Sequence, residues 1–204
     1  MSYSKTRRKR GKVIKRGDIL FFKNSSLISK IIRVVETGKW KMEVPSHTAV
    51  VKKIDFNGIG LIEASFSGIR EINLKAYKHY TMWVGTMKPP RDIDKGLEWF
   101  ENSLGRPYDY SALAGILLRA GIRMFSPKIY SKVKWMKNIL NSKIAFFCSE
   151  AVAWYASITG KKLCEEHFST NTPYDIFRSL EVDTVPVKWK EIYVQYYGST
   201  REVI

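Results

Sequence analysis

Apolar positions along this chain keep two different periods, and the places where one gives way to the other mark its elements. In RGDILFFKN a Gly17-Asp18 turn precedes the continuous apolar run Ile19 to Phe22, the pattern of a short buried strand. SSLISKIIRVVETG sets Leu27, Ile28, Ile31, Ile32 and Val35 at helical spacing between Ser25 or Ser26 as N-cap and Gly38 as stop. HTAVVKKI and GIGLIEASF then read as two strands separated by DFNG, and REINLKAY followed by YTMWVGTM extends the sheet; connections this short favour antiparallel pairing. PPRDIDKGLEWFENSLG returns to the helical period through Ile93, Leu97, Phe100 and Leu104. From Ser111 to Lys143 the stretches SALAGILLRAGI and KIYSKVKWMKNIL, interrupted by Gly121 and Pro127, predict mostly helix. In SEAVAWYASITG, Ala151, Val152, Tyr155 and Ile158 share a helix face and Gly160 offers a C-cap. The closing KWKEIYVQYYG alternates Ile192, Val194 and Tyr196 with polar neighbours and predicts a final strand.

Composition turns this string of elements into one folded unit. With 204 residues, 45% hydrophobic and 13% aromatic, the chain can bury a substantial core without metal or disulfide support. The expected organisation is a basic arm over residues 1–15 and one domain over 16–204, with a helical insertion at about 114–143. Half of the first sixteen residues are Lys or Arg and none is acidic, so the arm carries part of the formal charge of +16. Such a run suits nucleic acid, an anionic membrane or a polyanionic wall, and equally a solubilising tail. No apolar signal-peptide core and no membrane-length run occurs, which predicts a soluble protein made in the cytoplasm without a cleaved signal. Cys148 and Cys164 lack CxxC spacing and are expected as free thiols; no metal or cofactor is expected.

The stretch FFCSEAVAWYA places Cys148 at or just before the first turn of a helix. Backbone N–H groups and the dipole there stabilise a thiolate, and the same groups at Cys148 and Ser149 can receive an oxyanion. A buried, inert thiol is the competing reading, and a histidine decides between them. Of His47, His79 and His167, only His47 opens an apolar strand after a proline turn, where its ring can project into a cleft. Glu63, on the following strand, is the candidate orienting group. A two-residue Asn57-Gly58 turn would pair Lys52 with Glu63 and put Glu63 on the face opposite His47. A turn centred on Asp55 would set His47 directly across from Glu63. A catalytic pairing therefore requires a wider turn or a bulge.

Taken in order, RGDILFF, PSHTAVV, GLIEAS with SGIREI, LGRPYDY, FFCSEAVAWYA and TPYDIF resemble the circularly permuted branch of the NlpC/P60 papain-like superfamily. These permuted amidase-like enzymes are related to the lecithin-retinol-acyltransferase-like hydrolases. The resemblance covers about Arg16 to Arg178. It implies an α+β fold, with an antiparallel sheet or partial barrel packed against helices, and the order His, acid, Cys. It implies Cys148 as nucleophile, His47 as base and Glu63 as third member. Through GRPY it implies Tyr108, with Arg106 beside it, as substrate contacts. Thr172-Pro173 matches a helix start, with Asp175 placed for a capping box. The implied activity is cleavage of an amide or isopeptide bond through a thioester, in a cell-wall-related peptide first; a lipid ester or amide hydrolase or acyltransferase of the same fold is second. A noncatalytic basic module binding nucleic acid or the envelope is the alternative from a different class.

Overall fold

A computed structural model of the chain describes residues 13–24, 43–111, 146–164 and 171–197, together with 29, 30, 33, 114, 115, 118, 122, 126 and 128. The run behind the Gly17-Asp18 turn is strand β1, Ile19–Lys23, and it lies inside the sheet. Its first four residues are all buried, with Ile19 and Phe21 in one apolar cluster and Leu20 and Phe22 in another. Both faces are covered, which is why the run is continuous rather than alternating. Gly17 has φ +84°, and a Cβ there would meet Ile93 and the Tyr155 hydroxyl, so the turn takes glycine for conformation and space alike.

Five further strands complete the sheet among the described residues: β2 His47–Asp55, β3 Gly58–Ser65, β4 Gly68–Asn73, β5 Thr81–Met87 and β6 Val182–Val187. All pairings are antiparallel, in the order β4-β3-β2-β1-β5-β6. Strands β2 to β4 form a meander with short turns. The chain then crosses the sheet through a 3₁₀ turn, Leu74–Tyr77, and sets β5 beside β1. Leu74 and Tyr77 are buried in that crossing.

Four helices are described in full: α1 Ile93–Glu101, α2 Cys148–Ile158, α3 Pro173–Phe177 and α4 Trp189–Tyr196. Leu97 and Phe100 of α1, Ala151, Val152 and Tyr155 of α2 and Ile176 of α3 join Ile19, Phe21, Val50 and Ile62 in the first cluster. Ile192 of α4 and Tyr77 close the second, with Leu20, Phe22, Val51 and Leu61. Tyr155 ties α2 to the sheet by donating to the Gly17 carbonyl at 3.0 Å. The capping box forms as expected: Thr172 accepts from the Asp175 N–H at 3.2 Å, and Asp175 accepts from the Thr172 N–H at 2.9 Å.

The expected C-terminal strand is instead helix α4, and the strand lies earlier, at Val182–Val187. The i, i+4 relations decide it: Trp189–Tyr193 and Tyr193–Tyr197 are ring pairs with centroids 6.0 and 5.7 Å apart. Ile192 and Tyr193 are buried while Val194 is 48% exposed, so the alternation of Ile192 and Val194 marks no common face. Ser29, Lys30 and Arg33 are helical, as are Ser111, Ala114, Gly115, Leu118, Ile122 and Lys128; the rest of those two predicted helical stretches, the arm over 1–12 and His167 lie outside the described residues.

Candidate active site

Helix α2 begins on Cys148. Its N-cap, Phe147, is extended at φ −97° and ψ 168° and supplies no side-chain cap, so the helix start keeps N–H groups for other acceptors. The backbone N–H groups of Ser149 and Thr48 lie close enough to the Cys148 sulfur to stabilise its charged form. The Ser149 hydroxyl is turned away and donates to the Asn171 carbonyl at 2.7 Å, leaving only its backbone to face the site. Cys148 is 6% exposed and lines a cleft of about 200 Å³, so its sulfur is recessed without being sealed.

His47 is the first residue of β2, and its ring is close enough to Cys148 for each to shift the pKa of the other. Its Nε2 lies 2.7 Å from Oε2 of Glu63, which leaves Nδ1 for the sulfur. The β2–β3 register explains how the carboxylate reaches this face. Asp55 pairs with Gly58 and Lys53 with Gly60, but Val51 pairs with Leu61, so Lys52 is an extra residue on β2. Had the turn register continued, Val50 would face Glu63 and the carboxylate would point away from His47. The bulge reverses the phase and puts His47, Val51, Leu61 and Glu63 on one face. Neither the Asn57-Gly58 turn nor the turn centred on Asp55 forms; the bulge resolves the conflict. Lys52 is held there by ion pairs to Glu71 and, at 3.1 Å, Glu101.

Two residues that sequence reasoning did not single out complete the carboxylate's surroundings. Arg70, which faces Glu63 across the β3–β4 hairpin, donates from Nε and Nη2 to Oε1, each at 3.0 Å. Tyr77 donates its hydroxyl to Oε2 and lays its ring 5.9 Å from the His47 ring, at 26° between planes. The signal for Arg70 was the Phe66-Ser67 turn, which counts back to a Glu63–Arg70 pair. Tyr77 depends on the crossing after β4 and had no local signal.

The electrostatics follow from these contacts. Burial alone would lower the His47 pKa, but the Glu63 charge and the contact with Cys148 raise it to about 10. Burial alone would raise that of Glu63, but the His47 charge and the bonds from His47, Tyr77 and Arg70 hold it at about 2. The Cys148 thiol, which burial pushes up, is pulled below its ordinary value by His47 and by the Thr48 and Ser149 N–H groups. Both shifts favour a thiolate–imidazolium pair over a neutral thiol and imidazole. Burial and then the Cys148 charge raise the Tyr108 phenol, which lines the cleft and stays protonated.

Of the predicted residues, Cys148, His47, Glu63 and Tyr108 are thus brought together. A parallel bridge between Tyr108 and Phe146 fixes the GRPYDY segment beside the start of α2. Arg106 is not brought in: it is exposed, its guanidinium sits over the Phe146 ring at 5.7 Å, and it does not line the cleft. His79 is exposed in the turn before β5.

No family model matches the chain, and no curated protein is similar to it in sequence. Among solved structures, the crystal structure of metalloprotein yiiX from Escherichia coli O157:H7 superposes with a TM-score of 0.55 at 20% identity, over 86% of this chain and 98% of that one. At this identity the likeness concerns the fold, an α+β arrangement whose sheet here is antiparallel among the described residues.

Proposed function

We propose that this protein is a cysteine hydrolase of the permuted papain-like type that cleaves an amide or isopeptide bond through a thioester. The observation that carries the reading is Cys148 beside His47 at the wall of one cleft, with the His47 ring hydrogen-bonded to the buried Glu63. Residues 47, 63 and 148 come from a strand start, a neighbouring strand and a helix start, and a structural role needs no such convergence. A binding module without chemistry would leave the sulfur and the ring apart.

In the proposed reaction the Cys148 thiolate attacks the carbonyl carbon, forming a C–S bond and moving the π electrons onto oxygen. The oxyanion sits at the N-terminus of α2, and the protonated Tyr108 phenol is a further donor. On collapse the C–N bond breaks and the imidazolium passes its proton to the departing amine, leaving a thioester. Water then attacks that carbonyl while His47 takes its proton; the C–S bond breaks, and a carboxylic acid and the thiolate are released. Glu63 holds the ring tautomer and its charge, and Arg70 and Tyr77 hold Glu63. A cell-wall-related peptide is the leading substrate.

Among the described residues the yiiX neighbour's description as a metalloprotein has no counterpart. Among the described residues no group of three or more His, Cys, Asp or Glu is placed to hold an ion, and the Glu63 carboxylate is already occupied by Arg70, Tyr77 and His47.

The test is labelling with a mechanism-based electrophile, located by mass spectrometry in the native protein and in the Cys148→Ser and His47→Ala variants. Selective labelling of Cys148 that falls on removing His47 supports the reading. Equal labelling of Cys148 and Cys164 refutes it.

A further inference from the structure

Arg70 does more than the bracing of Glu63 requires. Its Nε and Nη2 meet one carboxylate oxygen from one edge of the guanidinium. The guanidinium also neighbours the Tyr77 hydroxyl, and its Nη1 has no hydrogen-bond partner among the described residues. The side chain is 44% exposed and lines the same cleft as Cys148, whereas Glu63 is fully buried beneath it. Among the described lining residues, Arg70 is the one whose charge is permanent. An Arg pinned by Glu63 and Tyr77 has already lost its rotamer freedom, and the N–H groups of its Nη1 are left to receive a carboxylate.

We infer that Arg70 anchors a carboxylate of the substrate, so that the compound cleaved is an amide bearing a free carboxylate close to the scissile carbonyl. This rests on the hydrolase reading for its chemistry but not for its test. The Cys148 thiolate and Glu63 already offset His47 and Arg70, so a substrate carboxylate is drawn by the hydrogen-bond donors of Arg70 and not by a surplus of positive charge. Ser65 and Tyr108 line the same cleft and carry hydroxyl donors. Phosphate would present a second charge for which the described lining holds no second permanent cation.

The experiment compares alkylation of Cys148 by two matched pairs of reagents, iodoacetate with iodoacetamide and bromoacetylglycine with bromoacetylglycinamide. Rates are followed by intact mass and divided by the rates of the same reagents with glutathione. The expected result is a preference of about tenfold for at least one acid over its amide, weakening with salt. In Arg70→Gln that preference disappears, and in Arg70→Lys, which keeps the charge but not the Nη1 donors, it is partly retained. A loss common to acid and amide reports the bracing of Glu63 and cancels in the ratio; thermal melts identify any variant that fails to fold. Equal normalised rates for both pairs, a preference that survives Arg70→Gln, or failure of the reagents to reach Cys148 overturns the inference. So does protection by millimolar inorganic phosphate stronger than that by acetylglycine. Because alkylation needs no turnover, a retained acid preference in a protein that hydrolyses nothing would separate failure of the hydrolase reading from failure of this one.

Discussion

Nε2 of His47 and Oε2 of Glu63, sixteen residues apart in the chain, lie 2.7 Å apart because one strand of their hairpin carries an extra residue. The carboxylate is the main attraction that overcomes the burial of the ring and keeps it charged. Glu63→Gln should therefore lower the His47 pKa and reduce kcat/KM on the order of 100-fold or more. NMR titration of the His47 ring, with kinetics on the same preparation, checks both.

The pH profile of Cys148 reactivity follows from the two opposed shifts. The thiol is depressed below its ordinary value and His47 is raised to about 10. Alkylation should rise as the thiol ionises below its usual range. Turnover, which also needs the imidazolium, should fall as pH passes about 10. In Cys148→Ser the histidine loses one raising partner, and its pKa should drop; a ring that titrates unchanged would mean that the contact is not made in solution.

Glu63 also predicts acid lability. Its pKa falls from 4.5 in the unfolded chain to about 2 in the fold, so the protein gains stability from it above pH 4.5. That contribution, about 3 kcal/mol at most, should be lost as pH drops from 4.5 toward 2. Urea titrations across this range should show a steep decline in the native protein and a shallower one in Glu63→Gln.

Gly68 controls the other wall of the cleft. Its φ is +96°, and a Cβ there would stand 2.5 Å from the Arg106 carbonyl oxygen, which accepts from the Ile69 N–H at 2.9 Å. Gly68→Ala should cost about 1–3 kcal/mol in denaturant unfolding. It should also move the segment that carries Tyr108, lowering kcat further than the stability loss explains.

The C-terminal helix can be tested by a pair of substitutions. Ile192 is 4% exposed and Val194 48%. Ile192→Ala should cost about 2–5 kcal/mol, and Val194→Ala no more than about 0.5. Comparable costs at both positions would return the segment to a strand.

Much of this fold was written in local periodicity. Buried β1, the meander and helices α1 and α2 each follow from runs and spacings that packing reinforced. The C-terminus misled because the alternation of Ile192, Val194 and Tyr196 overlaps an i, i+4 aromatic ladder of Trp189, Tyr193 and Tyr197, and only the neighbouring sheet decides which pattern is buried. At the site, Cys148 and His47 were legible from their positions at element starts. The face of Glu63 was not, since it depends on one unpaired residue that leaves no composition signal. Tyr77 was invisible because its position is set by a chain crossing, and Arg106 attracted attention by adjacency in sequence although its side chain packs on Phe146.

The extra residue at Lys52 makes the length of this hairpin a matter of parity. Adding or removing one residue between Val51 and Gly58 would spare the sheet yet send the acid to the wrong side, whereas changes of two would preserve it. Natural variants of this segment should accordingly differ in length by even steps wherever the chemistry is kept.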